Sequence, residues 1–193
     1  MSRLRFLAIA LTAAAAATAG VAGDLPVTVV LVRHAETAGS TREGGDPPLS
    51  EAGRARAEAL ARTLAMSGVT HLFASEALRC RETLAPLGTA RKLEPTAIPA
   101  GETARQVAAL RALPPGSVAV VAGHSNTVPA MVRALGGKMS GLVDDPRYGS
   151  LVPHEDYGRM VVLVLAGGDA PAATVELRYG DEPASPAEVH KTP

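Results

Sequence analysis

Two apolar runs along the chain each end on a histidine. Residues 27–32 are all β-branched or leucine, Thr28 alone being polar, and the run stops at Arg33 and His34. The stretch SVAVVAGHSN does the same and stops at His124. Neither run alternates with polar residues, so each reads as a strand buried on both faces, as in a parallel sheet. Between them GGDPPLS breaks the chain, and Ser50 is placed to cap a helix. Gly53, Ala57, Leu60, Ala61 and Leu64 follow at helical spacing, with Arg54, Glu58 and Arg62 off that stripe, and Ser67-Gly68 is expected to end the helix. VTHLFAS reads as a second short strand. EALRCRETLAPL reads as a second helix, with Pro86 near its C-terminal end, and RKLEPTAIP as a third extended piece. Residues 101–113 resume the helical pattern, and a turn follows at Pro114-Pro115-Gly116. A further helix is expected from about Thr127 to Leu135, closed by Gly136-Gly137. Residues 138–157 read as irregular. RMVVLVLAGG and ATVELRYG are expected to pair as late strands.

Strands alternating with helices predict an α/β sandwich, with a mainly parallel central sheet flanked by helices. Such folds bind ligands beyond the carboxyl ends of their strands. His34 and His124 both stand at such ends. The pattern shows no repeat and one domain, residues 24–180. The polar, proline-rich residues 181–193 read as a frayed tail.

Composition narrows the function classes. The apolar fraction is 47% but aromatics are 3%, so Ala, Val and Leu must build the core. The net charge is zero, and no basic or aromatic stripe suggests nucleic-acid binding. At the N-terminus Arg3 and Arg5 precede an apolar stretch, residues 6–17, and small residues follow at Ala17-Thr18-Ala19 and Val21-Ala22-Gly23. This is the layout of a cleaved export signal over residues 1–23, with an uncleaved anchor as the alternative. The apolar stretch is short for a full membrane span. Export predicts a periplasmic or secreted protein with no stable membrane insertion after cleavage. Cys80 is the one cysteine, so no internal disulfide can form, and among Leu78 and Leu84 it reads as a small core residue.

The chemistry-bearing residues suit a phosphate. Arg33 and His34 share one strand end and His124 ends another. Arg79 falls in the first turn of the helix after HLFAS, where backbone donors also favour anions. Guanidinium forks match phosphate oxygens. A neutral imidazole held through one nitrogen can attack with the other. Two nearby arginines would repel a cation, which speaks against a metal site. His71 reads as structural, His154 as a loop histidine that could instead line the cleft with Tyr157, and His190 as inert.

These residues also carry a resemblance. LVRHAET resembles the RHG-type signature of the histidine phosphatase superfamily (phosphoglycerate mutase-like), branch 1, with Ala35 in place of the commoner glycine. Leu49, Ser50, Gly53, Arg56 and Ala57 of DPPLSEAGRARAEALA match the superfamily's L-[ST]-x-x-G-x-x-[QR]-A segment. Ser75, Arg79, Cys80 and Thr83 match S-x-x-x-R-[AC]-x-x-T-A, and VVAGHSNTVPAMV resembles the second histidine block.

The resemblance implies a three-layer α/β sandwich. It implies a phosphatase in which His34 forms a transient phosphohistidine while Arg33, Arg79 and His124 bind the phosphoryl oxygens, with no metal or organic cofactor. Ser125 and Asn126 are placed to add hydrogen bonds at the rim. A branch with Asp directly after the second histidine is disfavoured by Ser125. Glu102 is the best candidate general acid, although some small phosphohistidine phosphatases of the superfamily lack an evident one. Glu36 is expected to support the loop. The implied partner is a small phosphorylated substrate or a phosphoprotein. Oligomeric state is not readable. A phosphoglycerate-type mutase is a second reading, weakened by Ser40 where the mutases carry Asn. A non-catalytic phosphate-binding protein on the same fold is a third.

Overall fold

The computed structural model describes residues 25–40, 45–166 and 171–180. The expected export signal, residues 1–23, and the expected tail with His190 lie outside them. Twelve elements follow in chain order: β1 (Val27–Arg33), α1 (Glu51–Thr63), β2 (His71–Ala74), α2 (Leu78–Arg91), β3 (Thr96–Ala97), α3 (Thr103–Arg111), β4 (Val118–Gly123), α4 (Thr127–Ala134), β5 (Val143–Asp145), β6 (Gly149–Leu151), β7 (Arg159–Leu165) and β8 (Ala173–Arg178).

The two histidine-terminated runs are neighbours. β1 and β4 pair in parallel, in register from Thr28 opposite Val118 to Arg33 opposite Gly123. The sheet runs β3-β2-β4-β1-β7-β8, and its four leading strands pair in parallel. The late strands β7 and β8 pair as expected, and they do so antiparallel. Successive residues of a strand face opposite ways, and here both faces are covered. Val29, Leu31, Ala119 and Val121 pack with Leu110 of α3 and with Val128, Met131 and Val132 of α4. Val30, Val32, Val120 and Ala122 pack with Leu60 of α1 and with Cys80, Leu84 and Leu87 of α2. That is why β1 and β4 lack polar alternation. Each large side chain so buried contributes roughly 1.5–3 kcal/mol.

Four local expectations change. Residues 138–157 are not wholly irregular: β5 and β6 form a hairpin, with Val143 opposite Leu151. Its strands are three residues long, too short for alternation to show, and Asp145 Oδ1 closes the turn by accepting from Arg147 N and Tyr148 N at 2.8 Å. Pro86 does not end α2. Leu84 and Leu87 bracket it in the core, and the helix runs on to Arg91 before Lys92 turns left-handed at φ 56°. Tertiary burial thus overrides the lost backbone donor. α1 stops at Thr63, short of Ser67-Gly68. The third extended piece pairs over two residues, Thr96–Ala97. Among the described residues no helix is long and apolar enough to cross a membrane.

Candidate active site

Strand register brings the histidines together. His34 N donates to Gly123 O at 2.8 Å, so each histidine follows the end of adjacent parallel strands. Their ring centroids lie 5.4 Å apart. The glycine before His124 is needed: a Cβ there would stand 2.8 Å from Thr127 Oγ1 and 3.1 Å from Val128 Cγ2. α4 therefore packs directly on the strand end, and Thr127 Oγ1 accepts from His124 N at 2.9 Å.

The loop after His34 is fastened to both helices on that face of the sheet. Ala35 N donates to Thr83 Oγ1 at 2.9 Å, and the same hydroxyl donates to Arg79 O at 2.7 Å. Ser50 N donates to Glu36 O at 2.9 Å, and Ser50 Oγ caps α1 by accepting from Gly53 N at 3.1 Å. A Cβ on Gly53 would overlap the Glu36 carbonyl oxygen, so that position must be glycine. The Glu36 carboxylate takes the Arg56 fork, at 2.9 Å from Nε and 2.7 Å from Nη2. Glu36 thus supports the loop, as expected.

The two arginines are held by different partners. Arg33 is buried, and its Nη1 donates to Pro153 O at 2.9 Å and His154 O at 2.7 Å. Its guanidinium carbon lies 4.1 Å from the centre of the Tyr157 ring. Arg79 Nη2 donates to His124 Nδ1 at 3.3 Å, and its Nη1 lies 3.3 Å from Asp46 Oδ1. The Nε groups of Arg33 and Arg79 are buried and have no hydrogen-bond partner among the described residues. Buried donors in that state are uncommon.

The hydrogen bonds assign the tautomers. His34 Nδ1 lies 2.8 Å from Ala35 O, which can only accept, so Nδ1 carries the proton and Nε2 keeps its lone pair. Burial pushes the His34 pKa down to about 3; the Ala35 bond opposes this, while His124, Arg33 and Arg79 add to it. For His124, burial and then Arg79 push the value down to about 4, against Glu76 and Asp46. Both rings are neutral at pH 7. His124 Nδ1 accepts from Arg79, so its Nε2 carries the proton and donates to Ser75 Oγ at 2.9 Å.

Arg33, His34, Arg79 and His124 are therefore brought together. Ser125 follows at the rim, where its carbonyl accepts from Val152 N at 2.9 Å. Glu102 is not joined to this group by any hydrogen bond; it precedes α3, and its carboxylate pairs with Arg105 at 2.9 Å. His71 bonds Thr70 at 2.8 Å, and His154 has an exposed side chain. Cys80 is buried, and burial pushes its thiol up to about 11, so it is no nucleophile. Sequence reasoning did not give Asp46, Ser75 or Tyr157 these contacts. Ser75 and Asp46 sit inside or beside the quoted motifs, but nothing local shows which arginine or imidazole each meets.

A sequence model of the histidine phosphatase superfamily (branch 1) matches residues 29–100, the span holding His34, Arg56 and Arg79. Over that span the chain carries a histidine phosphatase superfamily (branch 1) segment. A relative from Mycolicibacterium smegmatis, an 8-oxo-(d)GTP phosphatase, is 43% identical over 63 residues, which is 31% of this chain. The match spans 20% of that relative's length. The solved structure of the protein histidine phosphatase SixA complexed with tungstate superposes with a TM-score of 0.60 at 20% identity, covering 78% of this chain and 96% of that one. A mycobacterial glucosyl-3-phosphoglycerate phosphatase gives 0.53 at 18% identity, covering 71% and 89%. At these identities the two structures establish the histidine phosphatase fold alone.

Proposed function

We propose that the chain is a phosphatase that works through a phosphohistidine on His34. The observation that carries this is the hydrogen bond from His34 Nδ1 to Ala35 O, which leaves the Nε2 lone pair beside buried Arg33, part-buried Arg79 and a second neutral imidazole. His34 Nε2 attacks phosphorus, the bond to the leaving atom breaks, and its electron pair departs with the leaving group. Arg33 and Arg79 hold the phosphoryl oxygens; their unpartnered Nε groups are donors of the kind such oxygens satisfy. His124 takes up a proton on Nδ1 as the dianion arrives and becomes a further donor, while Ser75 fixes the ring through Nε2. Water then attacks phosphorus, the P–N bond breaks, and His34 regains its lone pair. Ser125 is read as a rim contact. The helix pairs on either face of the sheet are read as the outer layers of a three-layer sandwich.

Among the described residues no carboxylate is hydrogen-bonded to either histidine. The reaction therefore favours leaving groups that depart without a strong acid, such as a phosphorylated imidazole or an aryl phosphate, over simple alkoxides. The substrate is a small phosphorylated molecule or a phosphoprotein. Arg3, Arg5 and the apolar stretch after them support an export signal, and so work outside the cell or in the periplasm; N-terminal sequencing of the mature chain tests that.

His34→Ala should lower hydrolysis of an aryl phosphate by about 10³-fold or more, and should abolish labelled phosphate trapped on the protein by acid-free quenching. Hydrolysis at the wild-type rate would end the proposal. Label on wild type but not on the variant separates an enzyme from a phosphate binder.

A further inference from the structure

α2 begins at Leu78 with Ala77 as its N-cap, and alanine has no side-chain acceptor for the first amide groups. The acceptor comes from 32 residues earlier. Both carboxylate oxygens of Asp46 take the Leu78 N–H at 2.9 Å, and Oδ1 also lies 3.3 Å from Arg79 Nη1. Through Arg79 Nη2 the contact continues to His124 Nδ1 at 3.3 Å. Asp46 thus engages a helix amide and a guanidinium, donors that also suit a phosphoryl oxygen. Of the neighbouring carboxylates, Glu36 is neutralised by Arg56, Glu82 accepts from Leu49 N and Glu76 accepts from Ala100 N. Asp46 is 49% exposed and Arg79 15%, so this pair sits where solvent and ligand can reach it.

We propose that Asp46 is a positioning residue and built-in counter-anion: it holds the Arg79 guanidinium toward His124 and, by its charge, keeps inorganic phosphate from binding tightly after hydrolysis. The inference rests on the phosphoryl-transfer reading of the site. Arg33, Arg79 and the proton that His124 takes up hold a bound phosphate dianion, and Asp46 adds a negative charge against it. The charge is half exposed, so its effect is modest and open to screening.

The test measures binding of inorganic phosphate to the full chain by calorimetry, with steady-state kinetics on an aryl phosphate. Asp46→Asn keeps an acceptor for Leu78 N and removes the charge; Asp46→Ser is a second route to the same end. Each should bind phosphate about three- to tenfold more tightly than wild type. KM and kcat should fall together, because Arg79 is less well held and product leaves more slowly. Raising the ionic strength should narrow the gap in affinity, which a merely structural role would not do. Phosphate affinity that is unchanged or weaker in both variants would overturn the proposal. If wild type itself neither binds phosphate nor hydrolyses the ester, the reading of the site fails first and this inference falls with it.

Discussion

Arg33 and Arg56 are both buried, both belong to motif segments and both stand near the loop that follows His34, yet their surroundings differ in kind. Arg56 meets a carboxylate head-on: its fork is filled by Glu36, and Nη1 reaches Tyr179 O at 3.2 Å. Arg33 meets two carbonyls and a ring face, no carboxylate accepts from it, and its Nε is unpartnered among the described residues. Burying a guanidinium without an anion is costly, and burial lowers the Arg33 pKa in keeping with that cost. A chain spends stability in this way where an anionic ligand is to be held. The contrast teaches that a motif arginine is assigned by what its donors lack.

Breaking the comparison takes one substitution on each side. Arg33→Gln should lower kcat/KM on an aryl phosphate by about 10²–10³-fold, as loss of a charge-stabilising donor does, with little change in melting temperature. Arg56→Gln should do the reverse. It leaves Glu36 part-buried without its counter-charge and should cost about 2–3 kcal/mol of stability, discounted for the 22% exposure of Glu36. Its kcat/KM at a temperature where it stays folded should fall less than tenfold. Kinetics and thermal unfolding on the same two proteins decide the matter. Equal losses of activity in the two variants would erase the distinction.

Much of this arrangement was legible in the chain, for physical reasons. β1 and β4 announced themselves because strands buried on both faces cannot alternate, and parallel neighbours in register carry their terminal histidines to one place. Ser50 and Gly53 were legible as a cap and a helical position, but the overlap that forces glycine against Glu36 is a tertiary fact. The β5–β6 hairpin was missed because three-residue strands have no period to detect, and the run of α2 past Pro86 because its neighbours' burial outweighs local propensity. Asp46 capping α2 across 32 residues leaves no local trace at either end.

The two histidines extend the comparison to acid. Their folded-state values, about 3 for His34 and about 4 for His124, lie below the ordinary 6.5. Below pH 6.5 the unfolded chain therefore binds more protons than the folded one. Their contribution to stability is complete above that pH and is lost progressively as pH falls toward 3. The loss should be on the order of a few kcal/mol. Urea unfolding at pH 7.5, 6 and 4.5 measures it. The double variant His34→Gln, His124→Gln should show a flatter profile over this window. An equally steep profile would place the acid sensitivity elsewhere in the molecule. The same depressed values keep the nucleophile unprotonated, so the acid limb that His34 imposes on kcat/KM should lie below about pH 4.

The smallest expected effect concerns Glu102, the carboxylate that the sequence offers as general acid. Its side chain is 45% exposed and pairs with Arg105, itself 66% exposed, three residues along α3. An exposed pair at that spacing contributes a few tenths of a kcal/mol. The carboxylates that bear on His124 are Glu76 and Asp46. Glu102→Gln should therefore change kcat on an aryl phosphate and on a phosphorylated imidazole by less than about twofold. An alkyl phosphate is the discriminating substrate, because an alkoxide is a far stronger base than either of those leaving groups and gains most from a proton donor. Removing a working general acid costs about 10²–10⁴-fold. A loss of that size on the alkyl ester, with the aryl ester spared, would restore Glu102 as the acid and broaden the substrate class. Equal, small effects on all three would leave leaving-group basicity as the property that sets what this site can hydrolyse.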